Sequence, residues 1–151
     1  MHLPQRLRLP HNIPLWVDPQ KSVYFITINC QERGINQLAR PEVAIPLLDS
    51  VVFRNEKSIW FARVFLVMPD HVHALLSFPP SENTVQKTMS RWKRWTTWRL
   101  KIKWQRDFFE HRLRSDENRR EKGDYILANP VRKRLVKTSQ DWPYVFLNRD
   151  R

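Results

Sequence analysis

Cysteine is almost missing from this 151-residue sequence: Cys30 stands alone, which excludes a disulfide framework and a cysteine-based zinc cluster. No apolar run approaches the length of a membrane span, and the first residues lack the apolar core of a signal peptide. Cytoplasmic residence is the resulting expectation. Internal repeats and low-complexity tracts are absent as well. Aromatic and aliphatic residues, by contrast, are plentiful: 41% of the chain is hydrophobic, with seven Trp and eight Phe. A chain of this size and composition can bury a real core. It reads as an extended arm over 1–20, where Pro4, Pro10, Pro14 and Pro19 interrupt any periodicity, and one folded domain over 21–151.

Acidic residues are scarce relative to basic ones, and the imbalance is uneven. The formal net charge is +12; residues 1–80 hold 8 Lys/Arg against 6 Asp/Glu, whereas 81–151 hold 19 against 9. A basic half on a folded domain is the electrostatic footprint of a polyanion binder, although a merely soluble charged surface gives the same count. A membrane-surface role would need an amphipathic helix with exposed Phe and Leu, and none is apparent.

The segment Val23-Tyr24-Phe25-Ile26-Thr27-Ile28-Asn29 is β-branched and aromatic and reads as a buried strand. After a loop through Gly34, Pro41 opens a helix reaching about 57. Residues 58–68 return to strand composition, Pro69-Asp70 makes a tight turn, and 71–78 forms the partner strand of a hairpin. Pro79-Pro80 stops that strand, and Ser81 can cap a helix over 82–101. A strand over 105–113, with Phe108 inward and Phe109 outward, precedes a last helix over 116–128, capped by Ser115 and ended by Asn129-Pro130. The closing Asp141-Trp142-Pro143-Tyr144 reads as a packed tail. Strand, helix, strand, strand, helix, strand, helix is an α+β pattern. It predicts a ferredoxin-like split βαββαβ core with a mostly antiparallel sheet and an added C-terminal helix.

Two features carry chemistry. His71 and His73 lie two apart on one strand, so their imidazoles leave the same face, which is half of a metal site or a chance pairing. Tyr125 and Asn129 lie four apart on the last helix, one turn apart on one face. They read either as a nucleophile with an oxygen ligand or as ordinary packing. A third feature concerns binding. Projected at 100° per residue, Val85, Met89, Trp92, Trp95, Thr96 and Leu100 form a core face of the 82–101 helix. Lys87, Arg91, Arg94, Trp98 and Lys101 fall in a separate sector. Cations around an indole suit single-stranded nucleic acid, whose phosphates need charge and whose bases need a ring to stack on; a solvated face is the plainer reading. Arg132, Lys133 and Arg134 add charge beyond the last helix.

The motif Met68-Pro69-Asp70-His71-Val72-His73 followed by Tyr125-Ile126-Leu127-Ala128-Asn129-Pro130-Val131 resembles that of the IS200-like single-tyrosine transposases, and most nearly their REP-associated branch. The likeness runs over residues 24–144 and includes Trp104-Gln105-Arg106-Asp107-Phe108-Phe109-Glu110-His111-Arg112-Leu113 and the closing Trp142-Pro143-Tyr144. It implies a nuclease of the His-hydrophobic-His type. In that case His71, His73 and Asn129 hold Mg²⁺ or Mn²⁺, and Tyr125, carried by the added helix, is the catalytic nucleophile. The implied partner is single-stranded DNA bearing a hairpin or palindromic repeat, with a cytoplasmic, nucleoid-associated location. Relatives carry Asn or Asp where Asp70 stands, and Asp70 is assigned to the turn. His111 reads as a surface or packing residue or, less favoured, as one that touches DNA or the site, and Tyr24 and Tyr144 read as structural. Gly123 reads as a hinge or as a plain helix irregularity. A monomer and a homodimer exchanging tyrosine helices both remain open. The alternatives are a silent hairpin-binding protein on the same fold and, more remotely, a replication or mobilisation initiator.

Overall fold

Val23–Asn29 (β2) pairs on both sides, over Tyr24–Asn29 with one neighbouring strand and over Val23–Thr27 with the other. In the computed structural model, which describes residues 7–9, 23–80 and 84–148, the other elements are β1 (Leu7–Leu9), α1 (Pro41–Glu56), β3 (Phe61–Val67), β4 (His71–Ser77), α2 (Thr84–Leu100), β5 (Phe109–Leu113), α3 (Asp116–Arg132) and β6 (Val145–Asn148). The sheet order is β1-β6-β3-β4-β2-β5. The β2, β3, β4 and β5 pairings are all antiparallel, and β2 and β3 lie on either side of β4, so the split βαββαβ core is present. Two strands extend it beyond the expectation. The closing tail forms β6, antiparallel to β3, and Leu7–Leu9 adds to β6 in parallel. The rest of the 1–20 arm and the Ser81 cap lie outside the described residues.

The central strands β3 and β4 are buried along their whole length because helices cover both faces. On one face, α1 (Ala44, Leu47, Leu48, Val51) and α2 (Met89, Trp92) pack over Ile26, Ile28, Phe65, Val67, Val72, Ala74 and Leu76. On the other, Ile126 and Leu127 of α3 pack with Val23, Phe25, Val64, Leu66, Leu75 and Trp142. A bulge between Ala62 and Val64 shifts the β3 alternation by one residue, so Ala62 and Phe65 share a face. Buried indoles are satisfied: Trp92 donates to Ser50 Oγ at 3.0 Å, Trp60 to the Val51 carbonyl at 3.2 Å and Trp142 to the Val67 carbonyl at 3.0 Å.

Two boundaries differ from those the sequence predicts. The 105–113 strand begins only at Phe109; upstream, Trp104 bridges Cys30 and the Gln105 N–H donates to the Asn29 carbonyl. The last helix does not stop at 128 but continues through Pro130 to Arg132. Proline there removes one N–H and crowds the Ile126 carbonyl. Burial of Ile126, Leu127 and Asn129 against the sheet outweighs that cost, and the Arg132 guanidinium donates to the neighbouring Tyr125 carbonyl at 3.0 Å. Asn129 is therefore a helical residue, in the same rigid element as Tyr125.

Candidate active site

On β4, Val72, Ala74 and Leu76 point to the α1/α2 face, so His71 and His73 point to the α3 face. Both are more than nine-tenths buried, and their ring centroids are 4.7 Å apart. Each is held through its Nδ1. His71 Nδ1 lies 2.7 Å from Asp70 Oδ1; a carboxylate only accepts, so Nδ1 donates and Nε2 is left with its lone pair. His73 Nδ1 lies 2.8 Å from Thr27 Oγ1, its register partner on β2. Such outer partners fix the rotation of a ring and decide which nitrogen faces the site.

Asp70 is itself anchored. Its Oδ2 accepts from Arg33 Nε at 2.9 Å and from the Gly34 N–H at 2.8 Å. Gly34 has φ +85°, a left-handed conformation that glycine adopts without strain and that presents this N–H. The loop is tied to the turn by the Gln37 and Leu38 N–H groups, both donating to the Pro69 carbonyl. Partial burial pushes the Asp70 carboxyl up, but the Gly34 N–H, His71 and Arg33 outweigh it and hold the group well below the usual carboxylate range. Burial pulls the His71 imidazole down in spite of Asp70. Burial, then repulsion from His71 when that ring is protonated and from Arg132, Arg33 and Lys133, push His73 down to about 3. Both rings are neutral at physiological pH, the form in which imidazole donates a lone pair.

The helix α3 brings the remaining groups. Asn129 is 3% exposed, and its Nδ2 lies 3.5 Å from His71 Nε2. Tyr125, one turn earlier, is 46% exposed; its ring centroid is 6.3 Å from that of His73 and 6.4 Å from that of Phe25. The Arg132 guanidinium covers the Tyr125 ring at 4.1 Å and donates to Asn129 Oδ1 at 3.2 Å. Lys122 Nζ stands 5.5 Å from the same ring. Half-exposed tyrosine, neutral histidines and two cations thus meet on one face.

Of the other residues expected to bind nucleic acid, Lys133 and Arg134 are exposed just beyond α3, and the charge of Lys133 acts on both histidines. Lys87, Arg91, Arg94, Trp98 and Lys101 are all exposed as expected, Trp98 to 68%. They lie on the outer surface of α2 or, for Lys101, just past its end, and the sheet separates α2 from the histidines. The stripe therefore does not line the tyrosine site; a strand touching both must pass around the domain. Sequence reasoning passed over Thr27, Arg33, Phe25 and Lys122. Thr27 and Phe25 become visible only through the β2–β4 and β2–β5 registers, and Arg33 through the Gly34 turn, none of which spacing along the chain reveals.

The chain thus carries a histidine pair on a split βαββαβ sheet, with a tyrosine helix on the face opposite the two crossover helices. No family model matches the chain. It is 27% identical over 129 residues to the REP-associated tyrosine transposase of Escherichia coli (strain K12), a match covering 84% of this chain and 77% of that protein. It is 30% identical over 100 residues to a Haemophilus influenzae protein provisionally given the same name, covering 56% of this chain and only 57% of the relative's length. A solved REP-associated tyrosine transposase bound to a REP hairpin superimposes with a TM-score of 0.69 at 22% identity, over 91% of this chain and 82% of that one, and supports the fold. The chain is thus similar in sequence to REP-associated tyrosine transposases and shares the fold of the solved one.

Proposed function

We propose that this protein is a metal-dependent endonuclease and strand transferase of single-stranded DNA, acting beside hairpins such as REP-type palindromes. The observation that carries the reading is the single face shared by Tyr125, His71, His73 and Asn129, with the tyrosine open to solvent and the other three buried. In the reaction, the Tyr125 oxygen attacks phosphorus in line with the 3′ oxygen. The phenolic proton passes to water, a P–O bond to tyrosine forms and the P–O3′ bond breaks. The departing oxygen takes a proton and becomes a free 3′-OH, leaving a 5′-phosphotyrosine. Attack by another 3′-OH reverses the chemistry and rejoins the strand, so no nucleotide cofactor is consumed.

The donor set fits a divalent cation, Mg²⁺ or Mn²⁺: two neutral imidazoles whose Nδ1 atoms are already engaged, and an amide that can offer oxygen. His71 Nε2, His73 Nε2 and Asn129 Oδ1 would hold it, and when bound it supplies neutralisation of phosphate charge. The protein's own groups do the rest. Asp70 and Thr27 keep the two rings in register, burial keeps them neutral, and Arg132 and Lys122 put positive charge where an anionic strand must approach.

The test is incubation with Mn²⁺ and a labelled stem-loop with single-stranded flanks, followed by denaturing electrophoresis. A covalent adduct that Tyr125→Phe abolishes and a chelator prevents is the expected result; an adduct surviving Tyr125→Phe overturns the assignment. The binding-only reading draws on one contact, the Arg132 bond that holds Asn129 Oδ1. It predicts salt-sensitive association with no adduct under any metal.

A further inference from the structure

Beside Tyr125 the sheet ends in β5, whose inward-facing positions would ordinarily be covered. Phe109 is nevertheless 55% exposed, and His111 is exposed next to it. The two rings are near-parallel, with centroids 6.5 Å apart and an interplanar angle of 23°. Phe109 also meets Phe25 edge-on at 6.0 Å, and Phe25 in turn touches both His73 and Tyr125. The register makes the relation to the site explicit. Thr27 pairs with His73 on one side and with Phe109 on the other, so His73, Thr27 and Phe109 form one row across three strands. Two strand spacings put Phe109 about 10 Å from His73, the reach from a phosphate to the base of an adjoining nucleotide. Lys122, over the Phe25 ring at 5.1 Å, supplies charge for the backbone between them.

From this we infer that Phe109 and His111 form a stacking platform for an unpaired base next to the cleaved phosphate, so that the edge strand positions the DNA for Tyr125. The inference rests on the single-stranded DNA reading above. An aromatic face accepts any base, so the platform governs placement and affinity more than sequence choice. It is an exposed apolar surface continuous with the site and flanked by cations, which suits a flat, neutral base joined to an anionic backbone.

The experiment uses Tyr125→Phe protein, to prevent turnover, with the same stem-loop carrying 2-aminopurine at each flanking position in turn. One flanking position is expected to be quenched on binding. Phe109→Leu, which keeps an apolar side chain and the fold, abolishes that quench and weakens binding about tenfold. Phe109→Trp retains both. An equal quench in the Leu variant, or no quenched position in protein that binds the stem-loop, overturns the platform and leaves the proposed function standing. Failure of the Tyr125→Phe protein to bind the stem-loop at all overturns both.

Discussion

Thr27 and Asp70 each hold a histidine by its Nδ1, at 2.8 and 2.7 Å. Outer partners of this kind typically account for about 10–100-fold in metal affinity or activity. Thr27→Val keeps the β-branched shape and removes only the hydroxyl. It should lower adduct formation within that range, while Thr27→Ser retains it and thermal melts of both variants stay close to the parent. Cys30 offers a separate residue-scale test. Burial, then the nearby Asp70 charge, pushes its thiol up to about 12. A negligible thiolate fraction at pH 8 predicts no reaction with a disulfide reagent in the native protein and full reaction after unfolding. Spacing alone put the histidine pair on one strand face and the Tyr125–Asn129 pair on one helix face, because strand and helix periods are fixed by backbone geometry; their roles came only with the family resemblance. The groups that orient them were not, because strand register is a tertiary fact.

At the level of elements, α2 separates two roles that its sequence mixes. Trp92 is wholly buried between Trp60, Phe65 and Trp104, whereas Trp98 is 68% exposed. Trp92→Ala should cost about 3–5 kcal/mol of stability. Trp98→Ala should stay within about 0.5 kcal/mol in a denaturant titration. The projection at 100° per residue anticipated this division, but not that the cationic sector would lie across the sheet from Tyr125. Replacing Arg91 and Arg94 by Gln should therefore weaken DNA binding and reduce its salt slope by about one for each phosphate that these side chains neutralise. The adduct rate at saturating DNA is expected to be unchanged. The continuation of α3 through Pro130 was illegible for a different reason. The local rule that proline ends helices is overridden by packing of Ile126, Leu127 and Asn129.

For the whole molecule, the split βαββαβ core followed from the order of apolar segments and turns, since each element must bury one face against the next. The β6 and β1 additions did not follow, because a short tail and a proline-rich arm carry too little pattern to be told from coil. All four proposed site residues come from one chain, with α3 packed on its own sheet, so no second copy is needed to assemble the site. Light scattering should give the monomer mass of 18.4 kDa with the adduct assay fully active at the same concentration. The proposed chemistry depends above all on Tyr125 becoming bonded to DNA. Proteolysis of the Mn²⁺-dependent adduct, followed by mass mapping of the peptide that carries the nucleotide, tests this step without intermediaries. The nucleotide is expected on the peptide containing Gly123-Asp124-Tyr125. A nucleotide on the peptide containing Tyr24 or Tyr144 contradicts it.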